Sequence, residues 1–339
     1  VDDAKQQQKP FFLYFAHGAP HFPLKAPADV IAKYRGKYKA GWDKFRAARH
    51  AKQLAMGLVD PKWPLSARPE EVAAWDSLSP EDQDRFDHMM ATYAAMLDCV
   101  DQSVGRMVAG LKERGMLDDT LILFLSDNGG NAEGGPRGIT QGDEIGSANS
   151  HVFLGMSWAT LNNTPFRRYK HFTHEGGISS PLIAHWPKGI PAERHGKLEP
   201  QPAHLIDVMA TAVDLSGATY PATFAGHRIL PMEGISLRPA FAGTPLHRVK
   251  PIFWEHEGNR AVRSGPWKAV MKLKGEWELY NIDEDRTEQH DLIGINKAVA
   301  GLLIRQWNDW AATSFVDPWT GPARNNWGEE PRPGKKAKK

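Results

Sequence analysis

The feature that most constrains this chain is a long helical pattern that runs into an apolar strand. Ser79-Pro80-Glu81-Asp82 has the chemistry of a helix start, with Ser as N-cap, Pro at the first helical position and acids in the first turn. Apolar residues then recur at Met89, Tyr93, Met96, Leu97, Val100, Val104, Met107, Val108 and Leu111, which makes one stripe on a helix reaching about Arg114. Gly115 suits the stop. Thr120-Leu121-Ile122-Leu123-Phe124-Leu125-Ser126 follows and reads as a buried strand. A helix that leads into such a strand predicts an α/β protein with a central, largely parallel sheet and this helix packed across it.

Other segments fit that plan. Phe11-Phe12-Leu13-Tyr14-Phe15-Ala16 is fully apolar, bounded by Pro10 and by a Gly/Pro/His cluster, and predicts a strand buried on both faces. Residues 181–187 predict another strand. Helical spacing covers about residues 28–49 and 204–215, with Gly217 capping the second. Residues 127–168 read as a long loop rich in Gly, Asn and Ser, and loops this long in compact domains are usually functional or disordered. Beyond about Pro245 the texture changes. Short strand-like runs at residues 252–254, 260–263, 267–271 and 277–280, separated by Gly-containing turns, predict a small antiparallel sheet. A helix over about residues 297–311 would cover one face. The expected division is residues 1–245, 246–316 and an irregular tail, 317–339, rich in Pro, Gly and Lys.

Composition removes several function classes. A formal net charge of +2 gives no bulk attraction to nucleic acid. No apolar run approaches the ~18 residues of a transmembrane helix. The only cysteine, Cys99, excludes a disulfide framework and a zinc–cysteine site, and its helical apolar surroundings make it core filler rather than a nucleophile.

Three short motifs carry chemistry. Ser126-Asp127-Asn128-Gly129 directly follows an apolar strand, where ligands gather in open α/β sheets. Asp127 and Asn128 offer a charged and a neutral oxygen, which suits Ca²⁺ or Mg²⁺, although Asp-Asn-Gly equally suits a plain turn. Ala19-Pro20-His21-Phe22-Pro23 holds a histidine between prolines, able to act as acid, base or hydrogen-bond donor or simply to decorate a surface loop. Tyr169-Lys170-His171-Phe172-Thr173-His174-Glu175-Gly176-Gly177 offers a lysine that in isolation is a solvated charge.

Their order is more specific than any one of them. Strand then Ala-Pro-His, strand then Ser-Asp-Asn-Gly, then Lys-x4-Glu-Gly-Gly-Ile and strand, resembles the sulfatase family of the alkaline-phosphatase superfamily. Within it the chain looks closest to bacterial arylsulfatases. Gly258-Asn259-Arg260-Ala261-Val262-Arg263, Gly265-Pro266-Trp267-Lys268 and Tyr280-Asn281-Ile282-Asp283-Glu284-Asp285, with Glu288 and Asp291-Leu292, resemble the family's C-terminal subdomain. The resemblance spans about residues 10–310. It implies an alkaline-phosphatase-like fold, metal-assisted hydrolysis of a small-molecule or carbohydrate sulfate ester, and a periplasmic or secreted location. It also implies a metal site, usually calcium, completed by Asp127 and Asn128, with Lys170 and His21 on the substrate sulfate. A phosphodiesterase or phosphonate monoester hydrolase of the same superfamily is the alternative, as is a non-catalytic remnant.

The sequence departs from the family in two respects. The family forms its formylglycine nucleophile from a Cys/Ser-x-Pro-x-Arg motif, which does not occur in these 339 residues. The paired metal-binding aspartates expected after a first strand are also missing, since Asp2-Asp3 follows no strand. The expectation is an N-terminally truncated fragment, inactive alone and weak in calcium affinity.

Overall fold

The computed structural model describes residues 1–321. Most of the predicted irregular tail therefore lies outside the described residues. A short helix, α1 (Asp2–Gln6), opens the chain, and Asp2 pairs with Arg114. The predicted helix at 28–49 is two helices, α2 (Ala28–Ala32) and α3 (Gly41–Ala55). Gly36 and Gly41 break it, with φ of +82° and +80° in the left-handed region where glycine is at home.

The long helix is as the sequence predicts. It is α4 (Pro80–Glu113), 34 residues, and the Ser79 side chain accepts a hydrogen bond from the Asp82 amide. Its buried residues do not lie across a sheet. Phe86 and Met89 join Trp42, Trp75 and Trp158 in an aromatic core. Trp42 meets Trp75, Phe86 and Trp158 edge-on at 4.8, 5.0 and 5.4 Å between ring centroids. Each ring buries large apolar area, and edge-on pairs add about 0.5–1.5 kcal/mol beyond burial. Indole donors are satisfied too, Trp158 Nε1 to Phe86 O at 3.0 Å and Trp42 Nε1 to Ala73 O at 3.1 Å.

Strand β1 (Ile122–Leu125) follows α4 as predicted, but it is only half-buried, with Phe124 45% exposed. The next stretch is not a plain loop. It contains the hairpin β2 (Ile139–Gln141) and β3 (His151–Phe153), then α5 (Gly155–Asn162). Residues 155–161 of α5 are all buried, so this helix shows no amphipathic stripe for sequence reasoning to find. After it come the single turn α6 (Glu175–Ile178), β4 (Leu182–His185), and α7 (Ile206–Ser216), which Gly217 ends at φ +68°.

A small hairpin, β5 (Thr223–Phe224) with β6 (His227–Arg228), and a turn of helix, α8 (Arg238–Phe241), lead to the C-terminal sheet. This is the predicted four-stranded antiparallel sheet, β7 (Ile252–His256), β8 (Asn259–Ser264), β9 (Trp267–Met271) and β10 (Trp277–Asn281), paired in sequence order. Helix α9 (Lys297–Thr313) packs Ala300, Leu303 and Trp307 against it.

The mixed α/β class with a small C-terminal sheet and helix stands. The strand pairs among the described residues are antiparallel, however, including β1 with β4. Residues 11–16 are not a buried strand: Phe12 and Tyr14 are 76% and 84% exposed and pair with nothing in a ladder. An apolar run becomes a strand only where a neighbouring strand takes its backbone hydrogen bonds. This segment, β1, β4 and α7 instead line an open cleft of about 3940 Å³. Cys99 sits half-buried on α4, beside the cluster of Val30, Ile31, Ala91 and Ala95. Among the described residues no helix is long and apolar enough to cross a membrane.

Candidate active site

The cleft gathers all four residues singled out from the sequence: His21, Asp127, Asn128 and Lys170. Two loops bring three of them together. The loop after β1 is joined backbone to backbone to α6 and to the loop before it, Gly129 N to Gly177 O at 2.9 Å and Lys170 N to Gly130 O at 3.1 Å. Gly129 is glycine for closeness, not for turning. Its φ is not in the left-handed region, but a Cβ there would strike the Gly176 carbonyl. Asn163 braces both loops, accepting from Gly130 N at 2.8 Å and donating to Arg168 O at 3.1 Å.

Asp127 and Asn128 lie side by side at the end of β1, with Asn128 Nδ2 2.6 Å from Asp127 Oδ2. They contribute a carboxylate and an amide, both oxygen-bearing. That donor set fits a hard cation, and it supplies only part of the six to eight oxygens such an ion takes. Which amide atom faces Asp127 is an assignment that a cation would reverse.

Lys170 and His21 meet. Lys170 Nζ lies 3.0 Å from His21 Nε2, while His21 Nδ1 lies 2.9 Å from the Phe22 carbonyl oxygen. An ammonium only donates and a carbonyl only accepts. The neutral imidazole with its proton on Nδ1 satisfies both contacts. Glu133 Oε1 stands 3.7 Å from the same Nζ. Burial pushes the Glu133 carboxyl up, but the His171 hydrogen bond and the charges of Lys170 and His171 outweigh it and hold the group below its ordinary value.

Sequence reasoning did not find Glu133 or Asn163. Each is a single polar residue in a Gly/Asn-rich stretch, and no spacing marks it. Nor did it find what holds the Lys170 loop. That loop is strapped to the C-terminal sheet at several points. Arg167 and His174 contact Glu278, Thr173 Oγ1 donates to Arg260 O at 2.9 Å, and the Glu175 amide donates to Glu288 Oε2 at 2.9 Å. Deepest of all, Lys268 lies with no side-chain exposure, its Nζ 2.8 Å from Glu175 Oε1 and 2.9 Å from Glu288 Oε1. Arg286 adds a second cation to Glu175. Burial pushes the Glu175 carboxyl up, and the charges of Lys268 and Arg286 more than reverse it. The short motifs Glu-Gly-Gly, Gly-Pro-Trp-Lys and Glu288, scattered over the sequence, are one buried ion cluster.

The sulfatase family model matches residues 1–218. The chain belongs to the sulfatase family. It is 31% identical over 341 residues to an uncharacterized sulfatase of Schizosaccharomyces pombe, covering 93% of this chain and 60% of that protein. It is 33% identical to an arylsulfatase of Klebsiella aerogenes, covering 69% of this chain and 52% of the enzyme. The chain thus spans about half to three fifths of the length of these curated relatives. Among solved structures it is similar to that of Ps i-CgsB, with a TM-score of 0.58 and 28% identity, covering 91% of this chain and 52% of the other. That protein was also determined in complex with k-i-k-neocarrahexaose. Sulfatase neighbours of this kind have the alkaline-phosphatase-like fold, as the order of the motifs implies.

Proposed function

We propose that this chain supplies the sulfate-binding and metal-binding loops of a sulfuric ester hydrolase of arylsulfatase type, acting on a sulfate monoester of an aryl or carbohydrate alcohol. The observation that carries the reading is the Lys170–His21 contact at 3.0 Å, in the same cleft as Asp127 and Asn128. A sulfate monoester carries one negative charge, and its bridging oxygen gains charge as the S–O bond breaks. Lys170 presents three donors to that charge from a position fixed by His21 and Glu133. His21 Nε2 accepts from Lys170, and once the lysine turns to the sulfate the same nitrogen would have to take a proton from water before it could pass one to the leaving oxygen. Asp127 and Asn128 would hold a calcium ion. When bound, that ion supplies positive charge against the sulfate oxygens.

The 339 residues contain no Cys/Ser-x-Pro-x-Arg run from which formylglycine could be made. The reading therefore gives this chain binding and charge stabilisation, not the nucleophile, and we expect no turnover of an aryl sulfate by the chain alone. The test is calorimetric titration with p-nitrophenyl sulfate in the presence of calcium. Binding that weakens at least tenfold in both Lys170→Ala and Asp127→Ala supports the reading. Equal affinity in all three proteins, or turnover by the chain alone, overturns the corresponding half of it.

A further inference from the structure

A second cluster of metal-ligating side chains lies beside Glu133. His171 follows Lys170 directly, while His256 ends β7 and Glu257 begins the turn into β8. His171 Nδ1 lies 3.1 Å from Glu257 Oε2 and 3.2 Å from His256 Nε2. The three donor atoms all fall within 4.8 Å of one another. Zinc bonds of about 2.0–2.1 Å in a tetrahedral site put neighbouring donors about 3.3 Å apart. Two of the three edges already have that length, and the third needs only a movement of the exposed His256 ring.

The other nitrogen of His171 supplies an independent observation. His171 Nε2 lies 3.0 Å from Glu133 Oε1, so one ring nitrogen faces the cluster and the other faces a carboxylate. A carboxylate behind a histidine is the arrangement that fixes a metal-ligating ring and raises its basicity. The backbone is set for it as well. His171 and Glu257 both hold positive φ, +81° and +51°, which side chains other than glycine rarely adopt and which persist where the surroundings impose them. Two imidazoles and a carboxylate suit zinc-like ions, in contrast to the oxygen-only pair Asp127 and Asn128.

We propose that His171 Nδ1, His256 Nε2 and Glu257 Oε2 form a second metal site, for Zn²⁺ or a similar transition-metal ion, with Glu133 orienting His171. The ion ties the β7–β8 turn to the loop that presents Lys170. Three protein ligands leave a fourth position open to water. This site stands apart from the sulfatase reading, because none of its ligands is assigned to the sulfate or to calcium.

The test is titration of the full chain with ZnCl₂ in excess CaCl₂, followed by calorimetry, with far-UV circular dichroism on every variant. A single equivalent binds the wild-type chain and Asp127→Ala alike. Binding is lost in His256→Ala and in Glu257→Gln, and Glu133→Gln weakens it about 10- to 100-fold. Should His256→Ala misfold, Glu257→Gln in its surface turn gives the same reading. No zinc binding by the wild-type chain overturns the proposal. Binding that survives both ligand variants, or that disappears in Asp127→Ala, assigns zinc elsewhere and overturns it equally.

Discussion

Lys170 Nζ lies 3.0 Å from His21 Nε2, although 149 residues of sequence separate them. The contact fixes a flexible four-carbon side chain at the mouth of the cleft, and only a lysine whose head faces an acceptor is held this way.

The first prediction concerns that contact. Lys170→Ala removes the donor from a side chain that is 21% exposed and takes one cation from Glu133. Aryl sulfate affinity falls at least tenfold, while the loss of stability stays near the ~1 kcal/mol typical of a point substitution. Parallel calorimetry and urea unfolding measure both. A large loss of stability with unchanged affinity would make Lys170 a structural residue instead.

The buried cation behaves in the opposite manner. Lys268→Met leaves Glu288 buried without its cation and Glu175 with Arg286 alone, and costs about 3–5 kcal/mol. Adding Glu175→Gln and Glu288→Gln to the same chain restores most of that loss, because no uncompensated charge then remains inside. Urea unfolding of the single and triple variants reads the difference.

Gly129→Ala tests the close approach of the two loops. The added methyl meets the Gly176 carbonyl, which is backbone and cannot rotate away. A destabilisation of about 1–3 kcal/mol is expected, together with weaker sulfate binding as the Lys170 loop is pushed outward. Gly217→Ala supplies the comparison, since it meets no atom and suffers only from its positive φ.

Acid should loosen the strap at Glu278. Burial favours its neutral form, but the hydrogen bond from His174, the Arg167 charge and the Tyr280 hydroxyl hold its carboxyl down at about 2 against an ordinary 4.5. The folded protein therefore binds this proton less readily than the unfolded chain does. Its contribution is complete above pH 4.5 and is lost as pH falls towards about 2. Urea midpoints at pH 7, 4 and 3 should fall less steeply for Glu278→Gln than for the wild-type chain.

How much of this was legible depends on the range of the interactions. Helix α4 and its Ser79 cap were readable because a cap acts over three residues. The C-terminal strands were readable from their turns. The Asp127, Asn128, Lys170 and His21 constellation was readable through the order of its motifs. Helix α5 was not, since it is buried all round and leaves no periodic signal. The failure at residues 11–16 has another cause. Apolar composition reports that a segment can be buried, not that a partner strand lies beside it. Glu133, Asn163 and the Glu175–Lys268–Glu288 cluster depend on contacts across many residues, and no local spacing encodes them.

The strapping of the Lys170 loop also sets an order of events on the ribosome. Every residue assigned to the sulfate or to calcium has been synthesised once the chain passes Lys170, yet Glu288, which receives the Glu175 amide, comes 113 residues after it. At typical elongation rates that is a wait of roughly 6–20 s. Through that interval a nascent chain holds the Lys170 loop only by its contacts with earlier residues such as Gly130, Glu133 and Asn163. A stop codon placed before residue 268 would make the condition permanent, leaving the Lys170 loop without Lys268, Glu278 and Glu288.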